Sequence, residues 1–234
     1  MNMTFNLAKP LELALLDGRD PLSSEQVGPH TGDPRGFDSF EQVFEAYTQQ
    51  MDALLRRSFG YMRQHEATWP QVNPSPLIAA TIDDCLARGQ DIGQGGAHYN
   101  SVGCVGAGLA NVTDGLWAIK QAIYDKGRMT IDQLLAALQA DYAGQEGVRQ
   151  YLLNRVPKWG NGQAGVDEMG RRVAGHFCDT VHTCRNGRGG GCQAALFTLT
   201  AQWTLGELTG ALPDGRKARA PLAPGVGAAH GQDK

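Results

Sequence analysis

The chain has 234 residues, 41% of them hydrophobic and 19% charged, with a net charge of −3. That charge gives no electrostatic basis for binding nucleic acid or an anionic membrane, and no apolar run reaches the ~18 residues of a membrane span. Five cysteines without regular spacing, and the lack of a basic, apolar leader, predict reduced thiols, no disulfide framework and a cytoplasmic location.

The first half of the chain is predicted to be mostly helical from its hydrophobic periodicity. Ser39 and Gln42 have the spacing of a capping box, which begins a long amphipathic helix. A polar loop over 18–38 precedes that helix, and three prolines follow it. The helices expected in this half are 5–17, 39–65 and 75–89.

The central stretch begins as a glycine-dense loop, 95–100, and continues into small apolar residues over 101–110. Small side chains let a backbone approach its neighbours or a ligand closely, so this segment is expected to form the wall of a buried cavity. From Asn111 onward, apolar residues recur at helical spacing, which predicts an amphipathic helix packed against that wall.

The second half is also predicted to be rich in helices, at 131–141, 147–154 and 166–185. One apolar run over 194–203 contains β-branched and aromatic residues and is the best strand candidate in the chain. Residues 206–234 read as loop. The elements together predict an α/β fold without internal repeats.

Five potential metal ligands fall within 17 residues: His176, Cys178, His182, Cys184 and Cys192. Zinc accepts such ligands. On a helix, however, Cys178 and His182 share a face while His176 and Cys184 point elsewhere, and the paired Cys-x-x-Cys spacing is absent. Ordinary thiols and surface histidines are therefore favoured, and no metal site is expected.

Cys104 and the surrounding glycines raise two further catalytic hypotheses. A thiol in this position can act as a nucleophile, but no base flanks it, and a free cysteine is commonly a small buried hydrophobe. The glycines over 93–106 are followed by no Gly-Lys-Ser/Thr, and no Gly-x-Gly-x-x-Gly motif lies between a strand and a helix. No residue of this chain is therefore predicted to be catalytic.

Several sequence blocks, in order along nearly the whole chain, resemble the glycyl radical enzyme superfamily, the pyruvate formate-lyase-like proteins. They include Gly-Gly-Ala-His-Tyr-Asn at 95–100, Asn-Val-Thr-Asp-Gly-Leu at 111–116 and Arg-Asn-Gly-Arg-Gly-Gly at 185–190. The most specific block is Thr-Gly-Ala-Leu-Pro-Asp-Gly-Arg-Lys-Ala at 209–218. The likeness is nearer to the glycerol dehydratase and decarboxylase branch than to pyruvate formate-lyase itself.

The resemblance implies a ten-stranded α/β barrel surrounded by helices, of which this chain is one part. Residues 1–234 then form a partial pyruvate formate-lyase (PFL) domain. The family's catalytic-cysteine loop is expected upstream of it, and the glycine radical domain downstream. The sequence departs from the family pattern at two places: Gly162-Gln163 stands in place of acidic residues, and Cys192 follows Gly191. The resemblance therefore does not assign the substrate pocket.

The resemblance also implies a mechanism. A glycyl radical, installed by an S-adenosylmethionine/iron–sulfur activase, takes a hydrogen atom from a cysteine, and the resulting thiyl radical attacks a substrate inside the barrel. This chain itself is expected to bind no cofactor. Its expected partners are a small-molecule substrate, the radical-activating enzyme, and either a chain supplying the missing parts or a second copy in a homodimer.

The segment Arg-Val-Ala-Gly-His at 172–176 resembles the signature around the radical-bearing glycine. Its position inside a periodic helix argues against that role, since a radical glycine needs a removable loop. The chain alone is therefore expected to be inactive. Two functions remain open: a segment of a lyase or acyltransferase, such as a dehydratase, decarboxylase or formate C-acetyltransferase, or a non-catalytic remnant that binds a partner chain.

The residues expected to line the substrate cavity follow from the small-residue segment and the strand candidate. Residues 196–200 are predicted to form a barrel strand whose alternate side chains face the cavity, and 97–110 to line the same space. The candidate cavity residues are Phe5, Tyr99, Asn100 and Phe197.

Overall fold

The computed structural model describes residues 2–197 and 200–233. Within them the chain is a mixed α/β structure with one three-stranded sheet. The strands are β1 (Asn2–Asn6), β2 (Val102–Ala107) and β3 (Cys192–Leu196). The helices are α1 (Lys9–Leu15), α2 (Phe40–Val72), α3 (Pro76–Ala79), α4 (Asp83–Arg88), α5 (Leu109–Ile119), α6 (Ile131–Gln139), α7 (Glu146–Asn154), α8 (Ala164–Thr183) and α9 (Gln202–Glu207).

The sheet is parallel throughout, in the order β1-β2-β3, so each pair of neighbours is joined by a long helical crossover. Met3 is paired with Cys104 and Cys104 with Ala194. The next row on the same face contains Phe5, Gly106 and Leu196. Because paired residues of parallel strands project to the same side, these two rows define one face of the sheet.

That face packs against helices and forms the core. Phe5 stacks on Phe177 of α8, with ring centroids 6.1 Å apart. The long helix α2 adds a buried stripe of apolar side chains that continues the same cluster. The stripe comprises Tyr47, Met51, Leu55 and Phe59. No helix among the described residues is both long and apolar enough to cross a lipid bilayer.

The long second helix was predicted correctly, including its capping box between Ser39 and Gln42. It runs to Val72, past the predicted end at His65, and it contains Pro70. A proline removes one backbone donor, and so close to the end of the helix that loss costs a single hydrogen bond. The helix predicted over 75–89 is instead two short ones, α3 and α4.

Three further predictions differ from the structure, and all concern strands. The first helix begins at Lys9 rather than at Phe5, because residues 2–6 pair with β2. The small-residue wall contains a strand, β2. The third strand begins at Cys192 and ends at Leu196, so the strand predicted over 196–200 is displaced toward the N-terminus. Residues 198 and 199 lie outside the described residues, and 202–207 are helical.

Two tryptophans are accommodated by glycines of α8. A Cβ atom on Gly165 would lie 2.4 Å from Cη2 of Trp117, and one on Gly170 would lie 2.2 Å from Cζ3 of Trp159. Both distances are far below van der Waals contact. The absence of side chains at these two positions therefore sets how closely α8 approaches the rings.

We expect Gly170→Ala to lower the free energy of unfolding by about 1–3 kcal/mol, the usual cost of overpacking. The matched control is Gly175→Ala in the same helix, where a Cβ meets nothing within 4 Å. There the substitution should stabilise by about 0.5–1 kcal/mol, since alanine is the better helix former. Urea unfolding of both variants measures the difference. Equal effects would show that Trp159 does not constrain Gly170.

Candidate functional site

The second face of the sheet faces away from the main hydrophobic core, and we call it the open face. It is bordered by α9, because Asn6 Nδ2 donates to the Leu205 carbonyl at 3.5 Å, and Val105 and Ala107 on it are less than a tenth exposed. Strand alternation assigns to it the residues between the core-facing rows. Val105 and Ala107 lie on it and belong to no hydrophobic cluster of the core. Thr4 and Gln193 are exposed there. The full set is Asn2, Thr4, Asn6, Gly103, Val105, Ala107, Gln193 and Ala195.

The open face combines neutral hydrogen-bonding groups with small apolar side chains. Asn2 Oδ1 accepts a hydrogen bond from the backbone N–H of Gly103 at 3.3 Å. A Cβ on Gly103 would lie 2.8 Å from the same oxygen, so the glycine allows this contact. A few polar groups among small apolar ones are typical of sites that enclose small neutral molecules.

Asn6 closes the carboxyl end of β1. Its Oδ1 accepts hydrogen bonds from the backbone N–H groups of Ala8 (3.0 Å) and Lys9 (3.3 Å), which begins α1. Its Nδ2 donates to Thr209 Oγ1 at 2.9 Å. One asparagine therefore turns the chain from strand to helix and also ties down the segment that follows α9.

That segment, residues 208–223, is fixed by a buried network around Asp214. Asn111 Nδ2 donates to Asp214 Oδ2 at 2.7 Å, and the backbone N–H of Arg216 donates to Oδ1 at 2.9 Å. Lys158 Nζ donates to the Asp214 carbonyl at 2.8 Å. Asn111 is near the start of α5, directly after β2, so the network attaches the segment beside the carboxyl end of the central strand.

Arg216 holds the segment in its folded shape. Its guanidinium donates to the carbonyls of Gly210 (2.7 Å), Gly206 (2.8 Å) and Ala220. Burial lowers the pKa of this guanidinium, against the opposing effect of nearby carboxylates. An arginine presents several fixed donors, and here they tie the end of α9 to two carbonyls of the loop that follows it.

Glu12 is the second buried carboxylate at this end of the sheet. It accepts a hydrogen bond from the backbone N–H of Gly210 and pairs with Lys9 Nζ at 2.6 Å. Burial raises the pKa of Glu12, and the Lys9 ammonium opposes that shift. Through Gly210 this carboxylate joins α1 to the segment that Arg216 holds.

Asp114 of α5 is the third buried carboxylate at this end of the sheet. Its Oδ1 accepts the backbone N–H of Trp159 at 2.7 Å, while Oδ2 has no hydrogen-bond partner among the described residues. Burial raises the pKa of Asp114 to about 7, although Lys158 acts in the opposite direction. This carboxyl therefore changes its protonation state near neutral pH.

The four predicted cavity residues are not brought together on one surface. Phe5 lies on the core-facing side of the sheet against Phe177, which does not support a place for it in the cavity. Phe197 directly follows β3 and is 51% exposed. A role for Phe197 at the open face stays a prediction.

Tyr99 and Asn100 lie in the loop before β2, at the amino end of the sheet, whereas Asn6 lies at its carboxyl end. Tyr99 is 90% exposed. Asn100 is partly buried, and its carbonyl accepts hydrogen bonds from Asn186 Nδ2 and, at 3.4 Å, from Arg188 Nη2. Contact of Tyr99 or Asn100 with a substrate also stays a prediction.

The structure also locates the residues considered for a nucleophile, a radical glycine and a metal site. Cys104 is fully buried on the core-facing side, and burial raises the pKa of its thiol to about 12, which disfavours a nucleophile. Gly175 lies inside α8, as predicted. His176 Nε2 lies 2.8 Å from Asp52 Oδ1. Within 2–197 and 200–233, no group of three potential ligands is placed to hold a metal ion.

The buried network is the part of the site that sequence reasoning missed. Asp214 and Arg216 belong to a block that the resemblance already marked as specific, but its partners are distant in sequence. One signal for the network was present in the sequence. Charged residues lie between the apolar Leu212 and Leu222, in a stretch with few helix-forming residues, and this pattern is typical of a buried, hydrogen-bonded loop.

The buried loop at the carboxyl end of the sheet contains the block over 209–218, which most specifically resembles the glycyl radical enzymes. The family model for pyruvate formate lyase-like proteins matches residues 1–206, and the chain belongs to that family. The predicted superfamily is thereby confirmed.

The relatives it matches place it in the dehydratase branch. It is 34% identical to trans-4-hydroxy-L-proline dehydratase of Clostridioides difficile over 97% of this chain and 29% of that protein. It is 28% identical to (2S)-3-sulfopropanediol dehydratase of Klebsiella oxytoca over 96% of this chain and 27% of that protein. The chain therefore spans less than a third of the length of these relatives.

Solved structures agree with this placement. The hydroxyproline dehydratase from C. difficile, solved with trans-4-hydroxy-L-proline bound, superposes with a TM-score of 0.95 and 34% identity, covering 99% of this chain and 29% of that one. The B12-independent glycerol dehydratase from Clostridium butyricum gives a TM-score of 0.90 and 33% identity, covering 94% and 28%.

The raised pKa of Asp114 predicts how stability changes with pH. In the folded chain this carboxyl keeps its proton up to about pH 7, whereas its ordinary value is 3.8. The contribution of this carboxyl to the free energy of unfolding is therefore complete below its ordinary pKa. It is lost as the pH rises toward 7, by roughly 1.4 kcal/mol per pH unit at most.

We expect Asp114→Asn to remove most of that decline, since an amide does not ionise. The measurement is the free energy of unfolding at several pH values between these limits. Asp179→Asn, an exposed site on α8, should leave the slope unchanged. Glu12 contributes a decline of the same sign and Asp17, Asp20 and Glu41 a rise, so the quantity compared is the difference in slope between the variant and the parent chain. An unaltered slope in Asp114→Asn would contradict the assignment.

Proposed function

We propose that this chain is the part of a glycyl radical dehydratase that supplies one section of the barrel wall. In the intact enzyme the three strands belong to a ten-stranded barrel, and residues 1–234 form part of its PFL domain. The catalytic-cysteine loop and the glycine radical domain lie outside this chain. The observation that carries the proposal is the 0.95 TM-score at 34% identity over 99% of the chain.

The open face is the part of this chain that meets the substrate in the proposed enzyme. Its neutral polar groups, such as Thr4 and Gln193, suit a small hydroxylated molecule, and Val105 and Ala107 exclude water from one side of it. Elimination of water is the reaction for which the hydroxyproline, sulfopropanediol and glycerol dehydratases among the relatives are named. No observation favours formate C-acetyltransferase activity or a non-catalytic remnant, so neither is proposed.

The remaining parts of the proposal concern partners and location. The glycyl radical, with its partner cysteine, supplies hydrogen-atom abstraction from the substrate. An S-adenosylmethionine/iron–sulfur activase generates that radical. The partners of this chain are therefore the activase, the small-molecule substrate and the rest of the enzyme, on the same chain or on another. The five free thiols fit a reducing, cytoplasmic setting.

We expect a chimera to test the proposal directly. This chain replaces the matching 29% of the C. difficile hydroxyproline dehydratase. Because the backbones superpose closely, the chimera should fold and acquire a glycyl radical when incubated anaerobically with the activase and S-adenosylmethionine. Electron paramagnetic resonance measures the radical. A folded chimera that gains no radical, beside a parent enzyme that does, would contradict the barrel assignment.

The chain alone should give no glycyl radical under the same conditions. Gly175 is held inside α8, and Cys104 is buried on the core-facing side, so neither can replace the missing pair. The measurement is again the radical doublet. A doublet that disappears in Gly175→Ala would overturn this reading and make 172–176 the radical site.

The role of the open face is tested in the same chimera. Ala195→Leu should lower kcat/KM by about tenfold or more, because the larger side chain fills space reserved for the substrate. The radical yield should be unchanged. Ala136→Leu, on the exposed side of α6, is the control for the added volume. Equal activity of the two variants would contradict the placement of Ala195 in the substrate cavity.

A further inference from the structure

Cys184 and Cys192 flank the turn that joins α8 to β3. Arg185 and Gly191 form an isolated antiparallel bridge. The next pair outward along the two segments is Cys184 and Cys192. Directly opposed residues in antiparallel pairs have Cα atoms roughly 4.5–5.5 Å apart, inside the range of about 4.4–6.8 Å that disulfides require.

Both side chains also point into the same space. Cys192 shares the core-facing side of β3 with Ala194 and is 4% exposed. Cys184 is half-buried against the same core cluster, with its Sγ 3.5 Å from the Thr180 carbonyl. Burial raises the pKa of the Cys192 thiol to about 11, and the adjacent Cys184 adds to that rise.

The turn between them is held rigidly despite its glycines. The backbone N–H of Asn186 donates to the Gly190 carbonyl at 3.0 Å, and Asn186 Oδ1 accepts the Gly190 N–H at 2.7 Å. The backbone N–H of Gly187 donates to the buried carboxylate of Glu66 on α2 at 2.6 Å. A fixed turn keeps the two thiols together and raises their effective concentration for reaction with each other.

We propose that Cys184 and Cys192 form a reversible dithiol–disulfide site that is oxidised by low-molecular-weight disulfides such as oxidised glutathione. The more exposed Cys184 attacks as a thiolate, forms a mixed disulfide and releases one glutathione thiol. Cys192 then displaces the second glutathione and completes the protein disulfide. The two electrons and two protons of the protein thiols are taken up by glutathione.

The disulfide would link the end of α8 to the start of β3 and close the turn between them. Asn186 in that turn donates to the carbonyl of Asn100, in the loop before β2. Oxidation therefore acts on the element that anchors residues 95–100. All five cysteines are free in the structure.

The experiment incubates the reduced chain with oxidised glutathione at mildly alkaline pH, followed by alkylation, trypsin digestion and mass spectrometry. The two cysteines fall on different tryptic peptides, because Arg185 and Arg188 lie between them. We expect loss of two of the five alkylatable thiols and a cross-linked peptide pair lighter by two hydrogen atoms. Excess dithiothreitol should restore all five.

The variants identify the pair. Cys184→Ser and Cys192→Ser should each abolish the cross-link, whereas Cys178→Ser, at a half-buried position on the same helix, should retain it. In guanidinium the cross-link should lose its preference for Cys184 over Cys178, which shows that folding selects the pair. A cross-link that persists in Cys184→Ser, or glutathione adducts without a protein disulfide, would overturn the proposal.

Discussion

The structure depends on the absence of a side chain at Gly106, in the middle of the central strand. A Cβ there would lie 2.8 Å from Leu196, 3.0 Å from Leu7 and 3.2 Å from Phe177. These are the side chains that join β2 to β3, to the end of β1 and to α8. With glycine in this position, Phe177 reaches across the strand to stack on Phe5. The close approach of α8 to the sheet, and so the separation of a core-facing side from an open side, follows from this one residue.

The second constraint is the cost of burying charge. Asp214, Arg216 and Glu12 are each less than a tenth exposed, and each makes hydrogen bonds to backbone groups that lack a partner in secondary structure. In a low-dielectric interior such a network is stabilising only when it is satisfied, and removing one member leaves the others unpaired. The carboxyl end of the sheet is therefore fixed by polar contacts, whereas the core-facing side is fixed by packing. The two kinds of contact meet in α5, which supplies Asn111 to the network and Val112 to the core.

The sequence predicted the helices well and the strands poorly, for a physical reason. The stripe of α2 repeats at helical spacing over many turns, and a capping box marks its first residue. A buried parallel strand such as β2 has no alternation, and its glycines and alanines carry little strand propensity. Only pairing with β1 and β3 makes it a strand. The buried network was equally inaccessible, because Asn111 and Asp214 are far apart in the chain. The family, by contrast, was predicted from blocks of residues that resemble those of glycyl radical enzymes and occur in the same order along the chain.

The two outer strands have a consequence for the chain by itself. Within the described residues, β1 and β3 each pair on one side only, and the backbone donors and acceptors of the other side face outward. A sheet with two such edges is a template for further parallel strands. In a closed barrel those edges disappear, since every strand has two neighbours. Outside such a barrel the chain presents two unpaired strand edges, and measuring its self-association would show how strongly those edges bind other copies.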